Sequence, residues 1–183
     1  MMINKEKSFL LSINLQKHLI PMIQDAQNFI DANILLLKVM NKLEVPTLLT
    51  LHKGLGDPLD ELKDLAAEDR FEEKTFFSCL TDPKVSQKLK QFDPNSHVII
   101  SGMEAHACVM QTAIDLKEST KMSVFVVEDA VTSRSANDKE IAIRRMQQLG
   151  INIISKEMVF FEFSRRTDND IYKYIMEIVF KKV

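Results

Sequence analysis

Short runs of nearly unbroken apolar residues, separated by longer stretches with the apolar spacing of a helix, constrain this 183-residue chain more than any other feature. The runs lie at residues 9–13, 46–51, 97–101, 124–127 and 152–154 and are read as strands. They lack the strict alternation of a half-exposed sheet, so both faces must be covered, as in a parallel sheet. Between them, residues 23–43, 84–91, 107–118 and 137–149 read as helices, the last opened by Asn137 and Asp138 and closed by Gly150. A final segment, 168–180, carries Ile171, Tyr174, Ile175 and Ile178 at helical spacing and is expected to dock on one face of the sheet. Alternating strand and helix predict an α/β chain: a three-layer, doubly wound (Rossmann-like), mostly parallel sheet with helices on both faces. No linker, repeat or low-complexity stretch interrupts it, and 1–183 is read as one domain. Residues 55–82 are less regular, and a connection this long is expected to be functional or to carry small elements of its own.

A chain of this size buries roughly 70% of its unfolded surface, so its core needs no disulfide. Cys79 and Cys108 are therefore read as free thiols in a reducing, cytoplasmic setting. A net charge of -2, with both signs mixed, implies no nucleic-acid partner. The longest apolar runs, "INIIS" and "MSVFVV", fall far short of the roughly 20 residues that cross a bilayer. The start "MMINKEKSFLLSIN" lacks a signal-peptide pattern, and no membrane partner is expected.

In an open parallel sheet, ligands bind beyond the carboxyl ends of the strands. Asn14, His52 and Cys108 fall at or just past three such ends. Cys108, in "HVIISGMEAHACVMQTAIDL", also falls at the head of a helix, where the macrodipole favours a thiolate. That effect is only about 0.3–1 kcal/mol, so a cation is needed, and Lys74 in "EEKTFFS" is the candidate. Taken singly, Cys108 also fits an inert core thiol and Lys74 a solvated lysine.

Taken together, "LLSINLQ", "EEKTFFS", "ISGMEAHACVMQTAIDL" and "VFVVEDAVTSRSANDKEIAIRRMQQLG" resemble the isochorismatase-like cysteine hydrolase superfamily, in particular its metal-free branch. The resemblance runs from about residue 9 to 161. It implies an aspartate, a lysine and a cysteine in one site, with the lysine at Lys74, the cysteine at Cys108 and the aspartate position occupied by Asn14. It further implies a cis peptide between Met103 and Glu104 and an oxyanion hole made by the Glu104 and Cys108 amides. The implied reaction is acyl transfer: the Cys108 thiolate attacks an amide-type carbonyl, the amine leaves, and water hydrolyses the thioester. Phe77 and Gln16 are assigned to the substrate pocket, with Phe76 as a further apolar wall.

Asn14 is the departure from the family pattern. An amide has no proton to exchange near neutral pH, while the lost carboxylate would have opposed a thiolate. A reactive thiol with poor turnover is therefore expected. Isochorismate is a poor substrate candidate, because its vinyl-ether hydrolysis relies on the aspartate. No cofactor and no metal are expected: His52 in "TLHKGLGD" lacks the Asp-x-His partner of nicotinamidase-type relatives, and a catalytic zinc needs three protein ligands. His106 is read as a surface or interface residue, Cys79 as a packing residue, and "SRSANDKE" with Arg134 as a loop and helix cap. In the family that segment lies near a subunit contact, which implies a homo-oligomer. Two functions follow: a cysteine hydrolase for a small-molecule amide or imide, or a catalytically weakened member serving as an oligomeric binding or assembly protein.

Overall fold

A computed structural model describes residues 1–180. Its strands are β1 (Ser8–Ile13), β2 (Thr47–His52), β3 (Phe71–Lys74), β4 (His97–Met103), β5 (Ser123–Thr132) and β6 (Asn152–Ile154). All pair in parallel, in the order β3-β2-β1-β4-β5-β6. The chain thus winds outward from β1 in one direction and from β4 in the other, and a crevice opens where the order reverses, beyond the carboxyl ends of those two strands. Among the described residues, six α-helices connect and cover the sheet: α1 (Ala26–Lys42), α2 (Pro83–Leu89), α3 (Met110–Ser119), α4 (Ala136–Gln148), α5 (Lys156–Ser164) and α6 (Asp170–Phe180).

The unbroken apolar runs have a direct physical cause. Successive strand residues point to opposite faces, and both faces are core. Leu10, Leu49, Ile99 and Phe125 pack with Leu36, Phe160 and Ile175 from α1, α5 and α6. Leu11, Leu48, Ile100 and Val126 pack on the other side with Val85, Leu116 and Met146 from α2, α3 and α4. Burying one such side chain contributes about 1.5–3 kcal/mol, so a one-residue slip, which swaps the faces, is strongly disfavoured.

Four local features differ from the sequence reading. β3, "FEEK", is a four-residue edge strand whose glutamates hide it from any apolar pattern. α5, "KEMVFFEFS", presents apolar residues with little periodicity, and its start is set by Ser155, whose hydroxyl accepts from the Met158 amide. α1 begins at Ala26 because Pro21 sits in a separate 3-10 turn, Ile20–Met22. The segment after β4 opens with one π-helical turn, Ala105–Val109, before α3.

Candidate active site

β1 and β4 deliver the site by an unusually close approach. Ile13 and Gly102 are register partners, and a side chain on Gly102 would place its Cβ 2.0 Å from the Ile13 carbonyl oxygen. With φ at +111°, Gly102 also occupies backbone space that side chains rarely enter. The next peptide bond, Met103–Glu104, is cis. On the β1 side, Asn14 adopts φ +55°, a left-handed conformation that asparagine tolerates well. Its backbone amide donates to Thr50 O at 2.8 Å and its backbone carbonyl accepts from the Gln16 amide at 2.8 Å, which fixes the chain just past the carboxyl end of β1.

Lys74 ends β3 and is 1% exposed. Its ammonium donates to Phe76 O at 2.9 Å, Phe77 O at 3.2 Å and Cys108 Sγ at 3.4 Å. Among the described residues no carboxylate forms an ion pair with it. Asp82, the N-cap of α2, holds the chain in place just after the lysine: its carboxylate accepts from the amides of Thr75, Lys84 and Val85. Burial opposes the charge on Asp82, yet these amide hydrogen bonds outweigh it and hold the carboxyl below its ordinary range. Cys108 is 4% exposed. Cys79 is the informative contrast: it is fully buried, its sulfur lies 3.8 Å from Thr50 Oγ1, and burial pushes its thiol pKa up against the opposing pull of Lys74. Both thiols are free.

A cavity of about 380 Å³ opens above Cys108, lined by Asn14, His52, Phe77, Glu104 and Arg134 among others. Asn14 and Phe77 thus meet Cys108 in one place, while Lys74 reaches the Cys108 sulfur without lining the cavity. Gln16 does not line the cavity; its side-chain amide donates to His52 O and Gly56 O and accepts from the His52 amide. Phe76 also lies outside the lining. His106 points to Ser133, with Nδ1 3.0 Å from Oγ. A larger hollow of about 910 Å³, between α1 and α6, shares no residue with the Cys108 cavity and contains no thiol.

Two features of the site were not visible in the sequence reading. Glu104 accepts from the Arg134 side chain at 2.7 Å and from the Arg134 amide at 3.2 Å. Burial disfavours its charge, but these Arg134 contacts prevail and lower its pKa. The pair ties the segment before Cys108 to the "TSRS" loop, and residues 30 positions apart give no sequence signal of it. Asp82 is the second, and there the signal was present: aspartate followed by proline is a helix-start pattern. Among the described residues, no group of three histidine, cysteine, aspartate or glutamate side chains is placed to hold a metal ion.

The isochorismatase domain model matches residues 8–158. The chain is 33% identical over 174 residues to isochorismatase domain-containing protein 2 of Danio rerio, covering 94% of this chain and 86% of that one. It is 31% identical over 148 residues to isochorismatase family protein 1B of Dictyostelium discoideum, covering 78% and 71%. Among solved structures, the MAR1 ribonuclease of Caenorhabditis elegans superimposes with a TM-score of 0.88 at 32% identity, over 98% of this chain and 93% of that one. YcaC from Pseudomonas aeruginosa, solved with hexane-2,5-diol and covalent acrylamide, gives 0.86 at 20% identity, over 96% and 90%, and shares the fold. With the family model running from β1 into α5 and relatives above 30% identity over most of both chains, this protein belongs to the isochorismatase family.

Proposed function

We propose that this protein is a metal-free cysteine hydrolase that cleaves a small amide, imide or related carbonyl compound through a thioester on Cys108. The observation that carries the reading is the environment of Lys74. An ammonium has three donors and no acceptor, and here the three find two carbonyls and one sulfur. A buried charge needs a counter-charge. With no ion-pairing carboxylate among the described residues, the proposed counter-charge is a Cys108 thiolate, to which the adjoining helix start adds a smaller contribution of the same sign.

The thiolate attacks the carbonyl carbon, and the developing oxyanion is received by the Glu104 and Cys108 amides. Donors of this kind are worth about 3–4 kcal/mol each where one has been removed. The carbon–nitrogen bond breaks, and water then hydrolyses the thioester. Asn14 positions the substrate through its amide and exchanges no proton. A volume of about 380 Å³ with Phe77 on its wall suits a small molecule. A polynucleotide, as the nematode relative's ribonuclease name would suggest, is disfavoured by the net charge of -2 and by the engagement of Arg134 with Glu104. Self-association fits the same reading, since Phe76 and Phe77 stand about half exposed beside the cavity.

The substitution at Asn14 supports a second reading, a weakened member that binds or assembles without turnover. Labelling separates the two. Iodoacetamide at neutral pH, followed by peptide mass mapping, is expected to modify Cys108 well before Cys79, and a panel of small amides is expected to be hydrolysed by the native protein and not by Cys108→Ser. Equal, slow labelling of both cysteines with no hydrolysis would overturn the hydrolase and leave the binding protein.

A further inference from the structure

His52 is the last residue of β2 and the register partner of Lys74 on β3. Register partners in a parallel pair send their side chains to the same face, so His52 stands beside the lysine that reaches Cys108. Its ring centroid lies 5.7 Å from that of Phe77, and it lines the same cavity as Asn14 and Cys108. Gln16 fixes its backbone from both sides, accepting from the His52 amide at 2.7 Å and donating to the His52 carbonyl at 3.1 Å.

One ring nitrogen is fixed as a donor. Nδ1 lies 3.2 Å from Lys53 O, and a carbonyl only accepts, so Nδ1 carries the hydrogen. Nε2 is then the atom left to exchange a proton, and it is buried with no hydrogen-bond partner. Asn14 Oδ1 is a second buried atom in that condition, in the same cavity. Unpartnered buried polar atoms are uncommon, and two of them lining one cavity mark where a substrate or a reacting water is held.

We propose that His52 Nε2 carries the proton that the amide of Asn14 cannot. The inference rests on the thioester reading above. At the start Nε2 holds the proton that Cys108 gives up in becoming a thiolate. In the first half-reaction the sulfur bonds to the carbonyl carbon, the carbon–nitrogen bond breaks, and that Nε2 proton passes to the leaving nitrogen. In the second, Nε2 takes a proton from water as its oxygen bonds to the thioester carbon. The carbon–sulfur bond then breaks, the acid departs, and Cys108 returns as a thiolate beside Lys74 while His52 regains its proton. One amide and one water become one acid and one amine, and both side chains end as they began.

The test uses p-nitrophenyl acetate, whose phenolate leaves without a proton, so that only the second half-reaction depends on His52. Intact-mass spectrometry follows the acetyl group on Cys108 in the native chain and in His52→Gln. Acetylation at the native rate, followed by loss of the acetyl group roughly 100-fold more slowly, is expected for the variant. Imidazole in the buffer is expected to restore that loss. Iodoacetamide labelling of Cys108 at the native rate in the same variant checks that the site is intact. Acetyl loss at the native rate from His52→Gln, or a slower loss that imidazole does not rescue, overturns the role given to His52 and leaves the thioester standing. A native protein whose Cys108 takes no acetyl group overturns the thioester reading, and this inference with it.

Discussion

Replacing Lys74 by methionine removes the ammonium while keeping an unbranched chain of similar length in a site that is 1% exposed. At 3.4 Å, with an effective dielectric constant of about 20, the attraction between an ammonium and a thiolate is about 5 kcal/mol. The helix start offers about 0.3–1 kcal/mol, so the lysine and not the helix decides the charge on the sulfur. Desolvation of both ions offsets part of the attraction. With that offset, losing the ammonium is expected to slow Cys108 labelling roughly 10- to 100-fold. Cys108 is then expected to be labelled as slowly as Cys79, the buried thiol whose pKa burial pushes up against the pull of Lys74. The assay is the second-order rate of iodoacetamide labelling at neutral pH, with circular dichroism as the control for folding. The Phe76 and Phe77 carbonyls lose a donor, and circular dichroism reads whether the fold holds without it. A folded Lys74→Met protein whose Cys108 is labelled as fast as the native one would refute the ion-pair argument.

Three further outcomes follow from the same geometry. Gly102→Ala would force β1 and β4 apart where a Cβ meets Ile13 O at 2.0 Å; with a disfavoured φ as well, a loss of about 2–5 kcal/mol is expected in urea unfolding, and an unchanged midpoint would contradict the close approach. Asn14→Asp restores a carboxylate beside the thiolate, so Cys108 labelling at neutral pH is expected to slow several-fold, while acetyl loss from the His52→Gln protein is expected to recover. Labelling as fast as native would show that the carboxylate does not reach the sulfur. Asp82 has a depressed folded pKa, so its stabilising contribution is present above the ordinary carboxylate range. It is lost as pH falls from about 4 through the folded value. In Asp82→Asn this acid-dependent part of the urea midpoint is expected to disappear, and an identical pH profile would remove Asp82 as the anchor of the Lys74 segment.

How much of this was legible in the sequence depended on what each residue's role required. β1 and β4 were readable because residues buried on both faces leave an unbroken apolar run. β3 was not, because an edge strand of four residues with two glutamates carries no such run and exists only through its pairing with β2. That one omission explains how His52 was read. As an isolated histidine after a strand it offered little, and its meaning comes from standing opposite Lys74 in register. Lys74 and Cys108 were identifiable as residue types at family positions, but their approach to 3.4 Å depends on how β3 and the π-helical turn close over the crevice. Gln16 is expected in the substrate pocket. The folded chain instead uses its amide to hold the end of β2.

Cys108 is proposed to act as a thiolate held by the Lys74 ammonium 3.4 Å from its sulfur. Difference ultraviolet absorbance of the thiolate, taken between the native protein and Cys108→Ser at neutral pH, tests this directly. A difference equal to one thiolate per chain, abolished in the Lys74→Met background, is the predicted result. Superimposable native and Cys108→Ser spectra would contradict it.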